Sequence, residues 1–217
     1  MEIRKIVIAG AGTMGYSMAE IFAQFEYQVT IYDLKEEALM LAQKHIKDNI
    51  QTLVDEHEIT VQKAQSIINS LSYTTQKDCF QDCDLVVESI IENVDIKKSF
   101  YQDISQIVKE DTILATNTSG ISINSLASSV YKPERFIGMH WFNPSHLILL
   151  IEIIKGDYTS DEVAQAIYQL SIDIRKKPVI VQKDVLGFAA NRIQFAVLRE
   201  ALSLVEQGVV SKEGIDD

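Results

Sequence analysis

Cysteine is nearly absent from this chain. There are two in 217 residues, Cys79 and Cys83. They stand four apart beside several carboxylates, with no further soft ligands nearby to complete a zinc site. We read them as free thiols in a reducing compartment, which places the protein in the cytoplasm with no metal. Proline is also scarce, three residues, and there is no Pro-rich linker, internal repeat or low-complexity tract. No apolar run reaches the ~18 residues that a membrane span needs. Acidic Glu2 and the short apolar stretch from Ile6, broken by glycines, do not read as a secretory signal. Positive charge is the last shortage: 20 Lys and Arg against 31 Asp and Glu, a formal net charge of -11. Phosphate backbones demand a basic surface, so neither nucleic acid nor membrane is expected as a partner. An anionic small ligand stays open, because a helix N-terminus can hold a phosphate whatever the net charge.

What is present suits an ordinary globular protein. Hydrophobic residues make up 47% and charged residues 24%, and the length allows a sizeable core. Residues 3–9 read as a buried parallel strand, 14–25 as an amphipathic helix and 27–32 as a second strand ending at Asp33. A helix over 35–53 and another from Thr60, its expected N-cap, to about Leu71 form a hairpin inserted before the next strand, Asp84–Glu88. A helix follows over 94–109, then a strand over Thr112–Asn117 and a short helix over 122–130. Arg135–Met139 is read as a strand ending at His140, and Leu147–Ile154 as an apolar strand interrupted by Glu152. A helix over 160–174 starts at Ser160, and Pro178–Val181 is a last short strand. Residues 188–206 show helical apolar spacing and stop at Gly208. The fold class expected is α/β: a Rossmann-type, mostly parallel sheet with a helical hairpin insertion, followed by the start of an all-α region. The division is expected near Gly187, giving a nucleotide-binding domain over 1–186 and the first part of a helical domain over 187–217. Ser211-Lys-Glu reads as a further helix start close to Asp217, so the chain is expected to be a piece of something longer.

The first strand leads into Gly10-Ala11-Gly12-Thr13-Met14-Gly15, which opens a helix and is answered by Asp33 after the second strand. That is the dinucleotide fingerprint in its structural setting. The first glycine allows the turn, the second lets backbone approach a pyrophosphate, and the third lets helix pack on strand. Asp33 would accept hydrogen bonds from the adenosine ribose. A carboxylate there repels a 2′-phosphate, so NAD is favoured over NADP.

Four later residues carry candidate chemistry. His140 follows a strand end, where doubly wound sheets place ligands, and is the candidate base. Glu152 lies in an otherwise unbroken apolar run, and a buried carboxylate is costly unless paired; it would hold the imidazole. The alternative is a structural histidine with Glu152 facing water. Ser119, after Asn117-Thr118, would bond a substrate oxygen or else cap the next helix in competition with Ser122. Asn191, in the first turn of the long helix, either meets solvent or points into a cleft. Glu92, Asn93 and Lys97 could approach the nicotinamide ribose or form a solvated helix start.

Together these stretches resemble the L-3-hydroxyacyl-CoA dehydrogenase family, which includes 3-hydroxybutyryl-CoA dehydrogenases. The resemblance rests on Gly10–Gly15, Asp84-Leu-Val-Val-Glu-Ser-Ile-Ile-Glu-Asn93, Thr116-Asn-Thr-Ser119, Gly138-Met-His-Trp-Phe-Asn-Pro144, Ile151–Ile154 and Gly187-Phe-Ala-Ala-Asn-Arg192, in the family's order and over essentially the whole chain. It implies that His140 takes the proton of a 3-hydroxyl, that Glu152 orients it, and that Ser119 and Asn191 hold substrate oxygens. It also implies that Asp33, Glu92, Lys97, Ser119 and Asn143 contact NAD, that the substrate is an acyl-CoA, and that the complete helical region makes a homodimer. Two stretches depart from the family. Ser145-His-Leu-Ile-Leu149 stands where a Val-Pro-Val-Met-Lys-like stretch is usual, and the hairpin tip reads Asp55-Glu-His-Glu58 where serine and lysine often face CoA. These departures keep two alternatives in play: a dehydrogenase of a non-CoA hydroxyacid, and an NAD-binding fragment without turnover.

Overall fold

A computed structural model describes residues 2–216; the outermost residues of the two expected domains, Met1 and Asp217, lie outside them. The centre is an eight-stranded sheet in the order β3-β2-β1-β4-β5-β6-β7-β8. The strands are β1 (Lys5–Ala9), β2 (Gln28–Tyr32), β3 (Leu71–Thr74), β4 (Leu85–Glu88), β5 (Ile113–Thr116), β6 (Phe136–Trp141), β7 (Leu150–Ile154) and β8 (Lys177–Val181). Neighbours pair in parallel except β6 and β7, which are antiparallel. Helices cover both faces: α1 (Thr13–Gln24), the hairpin α2 (Glu36–Asp55) and α3 (Val61–Asn69), α4 (Val94–Ile104), α5 (Ile123–Ala127) and α6 (Asp161–Asp173). Two helices follow the sheet, α7 (Ala190–Glu206) and α8 (Lys212–Asp216).

Both faces of the sheet are apolar because helices lie on both. One core joins Ile6, Ile8, Val29 and Ile31 to Met18, Phe22 and the α6 face. The other joins Val7, Val86 and Leu114 to Tyr101, Ile104 and Phe136. Each fully buried Ile, Val or Phe contributes roughly 1.5–3 kcal/mol relative to exposure. The strand order reverses between β1 and β4, so their carboxyl ends open the crevice where such sheets take ligands.

Capping sets several boundaries. Thr60, Asn93, Ser122 and Ser160 accept N–H bonds at the starts of α3, α4, α5 and α6. Ser122 is therefore the α5 cap, and Ser119 is left out of that task. At the end of α7, Gly208 (φ +70°) donates to the Val205 carbonyl and Val209 to that of Leu204, a left-handed stop.

The structure corrects several expected spans; among them, α5 ends at Ala127 rather than 130 and α7 starts at Ala190 rather than 188. β3 was not anticipated: the chain leaves α3 at Ser70 and pairs with β2 as the sheet edge. α4 ends at Ile104, and residues 105–107 continue as turns. β6 runs on to Trp141, so His140 stands inside a strand rather than past its end. β7 begins only at Leu150, because Leu147 and Ile148 N–H both return to the Pro144 carbonyl in a turn. The buried Lys176 ammonium ties that turn down by donating to the carbonyls of Ser145 and Ile148 (3.0 Å to Ile148).

Candidate active site

The glycine-rich turn is built as a phosphate cradle. Gly10 sits at φ +108°, and a Cβ there would meet the Ser89 carbonyl oxygen at 2.5 Å. A Cβ on Gly15 would lie 1.8 Å from the Gly10 oxygen, so helix and strand touch backbone to backbone. Around Gly12 the reverse holds: a Cβ would meet no protein atom within 4 Å. Gly12 is the N-cap of α1, with no side chain capping it, so the first-turn N–H groups of Thr13 and Met14 have no partner within the helix. Asp33 closes the arrangement. One oxygen accepts from Ala11 N–H (2.9 Å) and the other from Lys35 N–H (3.0 Å), fixing the carboxylate beside the turn. Gly10, Gly12, Asp33, Ile90, Ile91, Ile96 and Phe100 line one cavity of about 650 Å³. An anion-ready helix start next to a carboxylate and an apolar slot suits the pyrophosphate, ribose and adenine of NAD.

Beyond β4 lies a buried polar network. Glu88, fully buried, accepts from Ile90 N–H (2.8 Å), Thr116 Oγ1 (2.8 Å), Tyr101 OH (3.1 Å) and the Lys97 ammonium. Burial, followed by the Glu88 charge, pushes the Tyr101 hydroxyl well above its ordinary value. Lys97 is buried too, and its ammonium also meets Glu92 at 3.2 Å. Glu92 in turn accepts from the Thr118 hydroxyl and from Ser119 N–H (3.1 Å). Burial opposes ionisation of Glu92, but Thr118, Lys97 and Ser119 outweigh it and hold its carboxyl below the ordinary value. Lys97 thus joins two carboxylates, and one of them, Glu92, holds the loop that carries Ser119. Asn93 caps α4, as its side chain accepts from Asp95 and Ile96 N–H.

His140 and Glu152 are register partners across β6 and β7. Glu152 Oε2 lies 2.9 Å from His140 Nδ1, with both side chains buried. Burial acts to raise the Glu152 carboxyl, but the His140 bond and the N–H groups of Ala190 and Ala189 outweigh it, leaving it below the ordinary value. Phe142 and Phe188 pack on the imidazole, with ring centroids 4.4 and 5.7 Å away. Asn191 Nδ2 donates to the Ser119 carbonyl (2.9 Å), which brings those two residues together. Ser119 is exposed at this edge, and Asn143 lies exposed beyond the end of β6.

Two residues of the site escaped the sequence reading of single positions. Asn117 Oδ1 accepts from Trp141 N–H (2.8 Å), locking the ends of β5 and β6 beside His140. Its place in Thr116-Asn-Thr-Ser119 at a strand end was the available signal. Phe188 stands in the sequence as an apolar helix residue and a member of the Gly187–Arg192 stretch; Gly187 before it is the hint of a special turn.

The 3-hydroxyacyl-CoA dehydrogenase NAD-binding domain model matches residues 5–185, and the C-terminal domain model of the same family matches 187–217. The chain belongs to the 3-hydroxyacyl-CoA dehydrogenase family. Its cofactor is accordingly NAD, and it is an oxidoreductase of the NAD-dependent kind. The family fold agrees in detail with solved structures. (S)-3-Hydroxybutyryl-CoA dehydrogenase from Ralstonia eutropha superposes with a TM-score of 0.94 at 34% identity, covering 98% of this chain and 75% of that one. The Escherichia coli 3-hydroxybutyryl-CoA dehydrogenase gives a TM-score of 0.95 at 30% identity over 98% of this chain; the chain spans 45% of its length. A family relative of different naming, 5-formyl-3-hydroxy-2-methylpyridine 4-carboxylate 5-dehydrogenase of Mesorhizobium japonicum, is 40% identical over 99% of this chain and 69% of its own.

Proposed function

We propose that the chain oxidises a (3S)-3-hydroxyacyl-CoA to the 3-oxoacyl-CoA, or runs the reverse reduction, with a short acyl group such as acetoacetyl. The observation that carries this is the His140–Glu152 pair, buried and bonded at 2.9 Å beside a nucleotide crevice. NAD, when bound at the Gly10–Gly15 turn with Asp33, supplies the acceptor for hydride. His140 uses its free Nε2 as the base: it takes the 3-hydroxyl proton as the C3–H bond breaks, and returns it in reduction. Glu152 keeps Nδ1 engaged, fixes the tautomer and stabilises the imidazolium that forms. Ser119 offers an exposed hydroxyl, and Asn191 an amide beside it, to the substrate oxygens. Glu92 and Lys97 hold the Ser119 loop near the nicotinamide ribose, and Asn143 lies at the mouth. On this reading residues 1–186 form the nucleotide domain and 187–217 begin the helical one. A homodimer is proposed on the exposed α7 residues Phe195, Leu198 and Leu202, which recur at i, i+3 and i+7, and sedimentation tests it. The two free cysteines suit the cytoplasm; no described helix is long and apolar enough to cross a membrane.

A second reading is favoured by the hairpin tip. Asp55, Glu56, His57 and Glu58 are all exposed there, where an anionic CoA would meet repulsion. Leu149 stands in place of the family's lysine, and the Mesorhizobium relative is named for a substrate that is not a CoA ester. The substrate is then a free hydroxyacid handled by the same dyad. Loss or formation of NADH absorbance with acetoacetyl-CoA, 3-hydroxybutyryl-CoA and a set of free hydroxyacids separates the two. Turnover with the CoA esters that His140→Ala abolishes supports the first; turnover with free acids alone supports the second. NADH binding with neither leaves a nucleotide-binding protein.

A further inference from the structure

The turn Gly187–Asn191 is built around strain. Gly187 lies at φ +76° and Phe188 at φ +50°. A bulky residue in the left-handed region is strained and persists only where its surroundings hold it. Phe188 is held: it is 1% exposed, sits in the β1–β4–β5 core, and places its ring 5.7 Å from that of His140. The next two residues donate their N–H groups, each at 2.9 Å, to Glu152 Oε1. α7 has no capping side chain of its own and buries none of its residues. Its cap is Glu152, whose other oxygen holds His140. One carboxylate therefore seats the helix and orients the imidazole, and the same turn supplies the ring that packs on it. Asn191 adds the bond to Ser119.

We propose that the Gly187–Asn191 turn is a positioning element of the dyad, so that His140 stands in working orientation only while the start of α7 is seated. Phe188 is its principal positioning residue, acting through His140 and Glu152 without touching substrate. The inference rests on His140 being the proton-transfer group.

The test compares wild type, Phe188→Leu, Phe188→Tyr and His140→Ala in NADH turnover, with amide exchange followed by NMR on the same proteins. The expected result for Phe188→Leu is a kcat lower by roughly tenfold or more, with the KM for NADH within about twofold. The Ala189 and Ala190 amides should exchange faster while those of β1 keep their rate. Phe188→Tyr, which keeps the ring, should restore kcat. An unchanged kcat, or unchanged Ala189 and Ala190 exchange, in Phe188→Leu overturns the proposal. If exchange speeds up across β1 as well, Phe188→Tyr decides: failure to restore kcat overturns it. Full activity in His140→Ala removes the dyad reading itself, a result distinct from the others. Should the wild type show no turnover, the amide exchange decides alone.

Discussion

His140 and Glu152 face each other across the antiparallel β6–β7 pair, their side chains joined at 2.9 Å. Direct opposition across two strands leaves the imidazole little freedom, because both backbones belong to the ladder. The sheet sets where the two side chains start, and the Gly187–Asn191 turn engages the other oxygen of Glu152.

Glu152→Gln keeps the shape and removes the charge that stabilises an imidazolium. The expected outcome is a kcat lower by about 10²–10⁴-fold, the range for a lost general acid–base function. NADH affinity, set at Gly12 and Asp33, should stay as it is. Steady-state turnover and a fluorescence titration with NADH read the two effects separately.

The same carboxylate makes stability pH-dependent. Glu152 and Glu92 both lie below the ordinary carboxyl value of 4.5 in the folded protein. A lowered folded value means that their stabilisation is fully present above 4.5 and is lost as the pH falls through the folded value. The melting temperature should therefore decline as the pH drops below about 4.5, and Glu152→Gln should flatten that decline relative to its own neutral value. Glu92 is half exposed, so its share is screened and smaller. Differential scanning fluorimetry across acid pH checks the sign.

The nucleotide half of the site was legible because glycine, strand and acidic residue are local signals: Gly10–Gly15 and Asp33 fall within one β-α-β unit. His140 and Glu152 were legible as candidates, since a histidine near a strand end and a lone carboxylate in an apolar run both need an explanation. The residues alone left their pairing open against a structural histidine and a water-facing carboxylate, because strand periodicity carries no direction and the β6–β7 register is a tertiary fact. β3 escapes the sequence although Leu71 and Tyr73 alternate with polar residues; four residues at a sheet edge, none fully buried, give little signal against a preceding helix. The Glu152 cap of α7 spans 37 residues and no local rule reaches it. The left-handed Phe188 is likewise imposed by the core it enters.

Lys97 and Glu88 form a buried ion pair that Tyr101 and Thr116 complete. Lys97→Met leaves Glu88 charged, buried and unpaired, which should cost about 3–5 kcal/mol. Adding Glu88→Gln removes the stranded charge, so the double variant should lose less than the sum of the two single ones. Urea unfolding of the three variants measures the coupling. Equal and additive losses would show that the pair contributes nothing as a pair.

Gly12 and Gly15 stand in one turn and should respond to alanine in opposite ways. At Gly15 the added methyl lies 1.8 Å from the Gly10 oxygen, so α1 must move off β1 and the protein should lose stability with or without nucleotide. At Gly12 the methyl meets no protein atom within 4 Å and lies at a normal N-cap backbone, φ -68°. The folded state should accept it with its melting temperature unchanged. That open space is where backbone would approach a pyrophosphate, so Gly12→Ala should weaken NADH binding by roughly tenfold or more, about 1.4 kcal/mol. Thermal melts without ligand and NADH titrations on both variants decide it. A Gly12→Ala protein that melts normally and binds NADH as tightly as wild type would move the cofactor away from the α1 N-terminus.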